Sequence, residues 1–187
     1  MKLAYAMCGS FCTHARALEA LRPLAKDNYI TPVLSEIVQT TDTRFGSANS
    51  LYLSVVNITG NEPITDIRTA EEKITRGGYD AVIVSPCTGN TLGKLASGIT
   101  DGAVTMCIKA QLRSRRPVLI ALATNDGLSA NLFNIAVTLE KKNVYFVPFG
   151  QDAPDEKPSS LVCDFGLLPE ALENAVKGRQ LQPILLK

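Results

Sequence analysis

The chain has 187 residues, 45% hydrophobic and 20% charged, and its 19 basic and 18 acidic side chains give a formal net charge of +1. That balance fits one globular domain, excludes disorder, and leaves no clustered positive field for nucleic acid or a membrane surface. No run approaches the roughly 20 apolar residues of a spanning helix, and the short apolar start lacks a signal-type core and cleavage site, so a cytoplasmic protein is expected.

Residues 2–8 are a predicted strand that ends at Gly9-Ser10. A helix follows over 15–26, where Ala17, Leu18, Leu21 and Leu24 keep a three-to-four spacing. A second strand is predicted over 29–38, then a polar loop over 39–47 rich in Thr, Asp and Gly. The segment 49–58 fits helix and strand equally. A helix over 67–76 stops at Gly77-Gly78, a C-cap signal. Residues 79–85 run apolar without interruption into Pro86, as a strand buried on both faces does. Helices are predicted over 91–97, 102–113 and 128–141, and strands over 117–123 and 144–148. A charged, proline-interrupted stretch over 151–160 leads to a closing helix over 169–177.

This alternation predicts an α/β fold: a three-layer, flavodoxin- or Rossmann-like parallel sheet with helices on both faces. It is one domain over 1–187, with 151–187 as a C-terminal arm. Ligands of such sheets bind beyond the carboxyl ends of the strands, where the topology reverses. Four clusters follow strands.

Gly9-Ser10-Phe11-Cys12-Thr13 joins strand one to helix one. Small and hydroxyl residues there expose backbone N–H groups to an anion, and they equally suit an ordinary N-cap at Ser10 or Thr13. The chain has no GxGxxG fingerprint, which weakens a dinucleotide site. Ser35-Glu36 and the loop from Thr40 to Gly46 come after strand two. Arg44 offers a planar fork to a carboxylate or phosphate, although a plain surface loop has the same composition. Ser85-Pro86-Cys87-Thr88-Gly89-Asn90-Thr91 is the most informative stretch. Gly89 permits close backbone approach, and Asn90 offers donor and acceptor to a planar heterocycle. Thr124 and Asn125 close strand four, with Asp126-Gly127 as a turn.

The five cysteines are odd in number and form no CxxC pair, so neither a disulfide framework nor a zinc knuckle is indicated. Most suit small buried hydrophobes, and Cys87 fills space beside a ligand unless the helix after it lowers its pKa. The single histidine, His14, is expected at the surface or as a cap, or else near a bound phosphate.

Pro86-Cys87-Thr88-Gly89-Asn90-Thr91 resembles the Pro-Ala-Ser-Ala-Asn-Thr signature of the flavin-binding cysteine decarboxylases, members of the flavoprotein family. Asn125 matches the asparagine of that family's Pro-x-Met-Asn segment, whose Pro and Met are absent here, and Gly9, Ser10 and Ser35 match its strand-end residues. The resemblance implies flavin mononucleotide (FMN) between subunits of a trimer or a multiple of one. It assigns cofactor binding to Gly9, Ser10, Ser35, Pro86, Cys87, Thr88, Gly89, Asn90, Thr91, Thr124 and Asn125.

Further stretches resemble the B subunits of dipicolinate synthases: 41–46, 86–94, Thr100-Asp101, 124–126, 145–152 and 180–183. These cover nearly the whole chain. They imply a part in oxidising a dihydrodipicolinate precursor to pyridine-2,6-dicarboxylate in sporulation, with an A subunit as partner and bearer of NADP. Arg44 is then the expected substrate-binding residue for the small dicarboxylate. The alternatives are a flavin-dependent decarboxylase, another FMN-dependent enzyme of the fold, or a non-catalytic organising subunit. The decarboxylases place a histidine between strand two and the next helix, and this chain has none there. A homo-oligomer is expected from the weakly charged helices over 92–106.

Overall fold

The computed structural model describes residues 1–186. Five strands form a parallel core: β1 (Lys2–Met7), β2 (Tyr29–Leu34), β3 (Ala81–Cys87), β4 (Val118–Thr124) and β5 (Val144–Phe146). Their spatial order is 2-1-3-4-5, the doubly wound order in which the topology reverses between β1 and β3. β3 is buried along its whole length and β4 along nearly all of it, which explains their unbroken apolar sequences.

Helices cover both faces of the sheet. α1 (His14–Asp27) packs on β2 and β3 and against α8 (Leu168–Val176), whereas α6 (Ala103–Arg113) packs on β3 and β4 and against α4 (Ile67–Gly77). α4 begins where the Asp66 side chain accepts the Thr69 N–H at 2.9 Å and ends at Gly78, whose φ of +65° only glycine adopts cheaply. The segment that fitted helix and strand equally is a helix, α3 (Ala48–Thr59), capped by Ser47.

Three expectations are corrected. The second strand stops at Leu34, and a five-residue helix, α2 (Glu36–Thr40), comes at once after it. Val38, read as strand, is instead the one buried residue of that helix. The helix after β3, α5 (Gly89–Ser97), starts at Gly89 rather than Thr91, because the Thr88 side chain caps it by accepting the Thr91 N–H at 3.2 Å. The helix expected over 128–141 is confined to α7 (Leu132–Leu139), since Ser129 and Asn131 N–H groups fold back on the Asp126 carbonyl in a preceding turn.

The sheet is mixed rather than all parallel. β7 (Leu161–Cys163) runs antiparallel to the end of β4, and β6 (Phe149–Gly150) antiparallel to β7. The stretch 151–187, expected as an arm, supplies β7 and α8, and Leu161, Cys163, Leu168 and Leu172 join the core.

Candidate functional site

A cavity of about 520 Å³ opens at the carboxyl ends of β1, β2 and β3, within the size range of small-molecule sites. Gly9 follows β1, Ser35 follows β2, and Thr88, Asn90 and Thr91 form the start of α5 after β3. Glu36, Ile37 and Thr40 from α2 form one wall. Asp101 and residues 102–105 at the start of α6 form another, and Lys94 reaches the lining from α5. The position is the β1–β3 switch point, where strand order reverses and the loops diverge.

Local chemistry fixes this frame. The Thr105 hydroxyl oxygen accepts N–H groups from Asp101 and Gly102, each at 3.2 Å, and so closes the entry to α6. Lys94 Nζ donates to Asp101 Oδ2 at 2.7 Å, tying α5 to that entry, and the lysine holds the Asp101 carboxyl below the ordinary carboxylate range. Ser35 Oγ is buried and has no hydrogen-bond partner within the protein. An orphaned hydroxyl in a cavity wall is costly unless a ligand supplies its partner.

Gly9, Ser35, Thr88, Asn90 and Thr91 therefore meet in one cavity, as their strand-end positions predict. The other expected cofactor residues stand outside its lining. The Ser10 carbonyl accepts both the N–H and the hydroxyl of Thr13 in a tight turn, and neither the Ser10 nor the Thr13 side chain caps a helix. Pro86 and Cys87 are buried inside β3. Gly89 turns away from the cavity: a Cβ there would collide with the Asn131 amide and the Thr124 hydroxyl. Thr124 instead bonds Asp126, which accepts the Asn131 Nδ2–H at 2.8 Å, and Asn134 Nδ2 donates to Asn131 Oδ1 at 2.8 Å. This polar chain seats α5 against α7. Asn125 is exposed beside Ser160, whose Oγ lies 3.4 Å from its Oδ1.

Arg44 lies in the exposed loop before α3, with its guanidinium stacked 4.9 Å from the ring centroid of its neighbour Phe45. It is not part of the cavity lining; the cation there is Lys94. Asp42, two residues earlier, accepts the Ala48 N–H at 2.8 Å, and Arg44 forms no ion pair among the described residues.

His14 corrects the expectation of a surface residue. It is buried, with Nε2 2.8 Å from the Cys8 carbonyl and its ring against Phe11. The carbonyl can only accept, so Nε2 carries the proton. Desolvation lowers the pKa, partly offset by the carbonyl, and the ring stays neutral at pH 7. Four cysteines are buried and Cys12 is exposed. Burial pushes the Cys8 thiol up to about 11 and the Cys87 thiol well above its ordinary value, so Cys87 is a space-filling thiol rather than a nucleophile. Among the described residues no group of three His, Cys, Asp or Glu is placed to hold a metal, and no helix is long and apolar enough to cross a membrane.

Sequence reasoning missed the α6 wall. The spacing Asp101-Gly102-x-x-Thr105 resembles a helix-start signature, and only the fold shows that this start faces α5 across the cavity.

Residues 3–168 match the family model described as Flavoprotein. The chain belongs to the flavoprotein family. It is 36% identical over 187 residues to the B subunit of dipicolinate synthase from Bacillus subtilis (strain 168), a match covering 100% of this chain and 94% of that protein. The crystal structure of the corresponding B subunit of dipicolinate synthase from Bacillus halodurans C superposes with a TM-score of 0.91 at 37% identity, covering 100% of this chain and 96% of the other. The FMN-dependent cysteine decarboxylase SpaF shares the fold, with a TM-score of 0.67 at 21% identity over 94% of this chain and 97% of that one.

Proposed function

We propose that this flavoprotein-family chain is the B-type subunit of a dipicolinate synthase, contributing to oxidation of a dihydrodipicolinate precursor to pyridine-2,6-dicarboxylate in sporulating cells. The observation that carries the proposal is the switch-point cavity with the orphaned Ser35 hydroxyl, in a chain alike end to end to two such subunits.

The cavity suits FMN as a cofactor. Ser35 Oγ needs a partner that a phosphate supplies, Gly9 lines the same cavity, and Asn90 presents both donor and acceptor to a flavin ring. FMN, when bound, supplies the capacity to take up a hydride equivalent. The protein's part is to orient a planar ring between the α5 and α6 walls and to limit water there. NADP is assigned to the A subunit, the partner this proposal requires. The decarboxylase alternative loses support from His14, which is neutral, bonded to the Cys8 carbonyl and absent from the cavity lining.

A homo-oligomer, a trimer or a multiple of one, is part of the same proposal. Its support is an apolar surface on and before α7: Leu128, Leu132 and Phe133 are 43%, 51% and 74% exposed. Clustered exposed apolar side chains of this size mark contact surfaces.

FMN titrated into the purified chain is expected to lose fluorescence on binding, with weaker binding to Ser35→Ala. FMN fluorescence unchanged at saturating protein contradicts the cofactor assignment.

A further inference from the structure

Among the described residues, one ammonium, that of Lys94, lines the cavity, and two carboxylates, Glu36 and Asp101, line it as well. With that balance, an anion in the cavity competes with the cavity's own carboxylates for the one ammonium. The Lys94–Asp101 pair is half open to solvent, with side-chain exposures of 31% and 50%, so it contributes little to holding the fold. Lysine carries three donors, and Asp101 is the one hydrogen-bond partner of Nζ among the described residues. The two partners come from opposite walls, Lys94 from α5 and Asp101 from the entry to α6, so the ammonium sits where the walls meet. The amino ends of α5 and α6 both reach the lining, and the dipole of each favours negative charge there.

We propose that Lys94 is the residue that recognises a carboxylate of the cavity's ligand, and that Asp101 holds its ammonium as an internal stand-in which the ligand's carboxylate displaces. This rests on the small-dicarboxylate reading above and assigns to Lys94 the role the sequence suggested for Arg44. Competition between Asp101 and the ligand makes the two halves of the pair opposite in effect. Removing the ammonium removes the ligand's partner, whereas removing the Asp101 carboxylate frees the ammonium and takes a repelling charge from the rim. A pair that merely clips α5 to α6 would respond alike to loss of either half.

The test is calorimetric titration of the full chain with pyridine-2,6-dicarboxylate, with and without saturating FMN, for the wild type, Lys94→Gln, Asp101→Asn and Arg44→Lys. Lys94→Gln is expected to weaken binding about 10-fold or more, the worth of one charge-assisted hydrogen bond. Asp101→Asn is expected to tighten it several-fold, and Arg44→Lys to leave it unchanged. Equal affinity in Lys94→Gln and wild type, or parallel weakening in Lys94→Gln and Asp101→Asn, overturns the assignment while leaving the dicarboxylate reading intact. A wild type that does not bind the probe under either condition contradicts the dicarboxylate reading itself, and the assignment with it.

Discussion

Gly89→Ala probes the seat of the cavity's most informative helix. Gly89 is buried at the first position of α5, and a Cβ there would meet the Asn131 amide and the Thr124 hydroxyl at less than contact distance. Neither neighbour is a free side-chain end. Both bond Asp126, and Asn131 also accepts from Asn134. Overpacking a tight site costs about 1–3 kcal/mol, and breaking one buried bond of the chain adds about 1–3 kcal/mol for the group left unpaired. A total near 3 kcal/mol lowers Tm by about 6–12 °C in a domain of this size. Gly93→Ala, one turn on, is the control. Its Cβ would stand 3.2 Å from the Asn134 amide, and the helix gains about 1 kcal/mol in propensity. Thermal unfolding followed by circular dichroism should show a large loss for Gly89→Ala and little or no loss for Gly93→Ala. Equal Tm values for the two variants would refute the packing argument.

Three other outcomes are expected from burial and charge. Iodoacetamide should modify Cys12 alone in the native protein, because the other four thiols are buried, and mass spectrometry showing prompt labelling of Cys87 would contradict this. His14 has a folded pKa below its unfolded value of 6.5. Below about pH 6.5 the unfolded chain therefore binds more protons than the folded one, and stability falls as pH drops towards the folded pKa. Urea midpoints from pH 7.5 to 5 should show a decline that is shallower in His14→Gln; parallel curves would count against it. Phe133→Asp, at the most exposed large apolar side chain, should shift light-scattering mass towards the monomer, and an unchanged mass would place the contact surface elsewhere.

Much of the site was legible because strand ends are legible. The apolar runs of β1 and β3 stop sharply, and the fold brings the residues after them to one edge, so Gly9, Thr88, Asn90 and Thr91 group together on sequence grounds, whereas Ser35 falls within the strand predicted over 29–38 and is singled out by the family resemblance. The failures concern rotation rather than position. Gly89 and Asn90 are adjacent, yet one faces Thr124 and α7 while the other faces the cavity, and that is set by how α5 docks. Thr124 and Asn125 sit at the expected edge but on the far side of that helix. β6 and β7 have two and three residues, too few for an alternating pattern, so the antiparallel extension left no periodic trace. α2 was hidden for a similar reason: it is one short turn-rich element with a single buried residue, Val38, placed where a longer strand would also bury it. The burial of His14 depends on a bond to the Cys8 carbonyl that no spacing announces.

The most direct test of the proposed function is the rate of pyridine-2,6-dicarboxylate formation from its dihydro precursor, followed by absorbance, with the A subunit alone, with the wild-type chain added, and with Asn90→Ala added. Asn90 is exposed in the cavity wall, so its truncation should leave the fold intact. The wild-type pair should form product faster than the A subunit alone, and Asn90→Ala should lose most of that gain, since a polar contact to the bound ring is removed. A rate that the A subunit reaches unaided, or that Asn90→Ala supports in full, would contradict the placement of the reaction in this cavity.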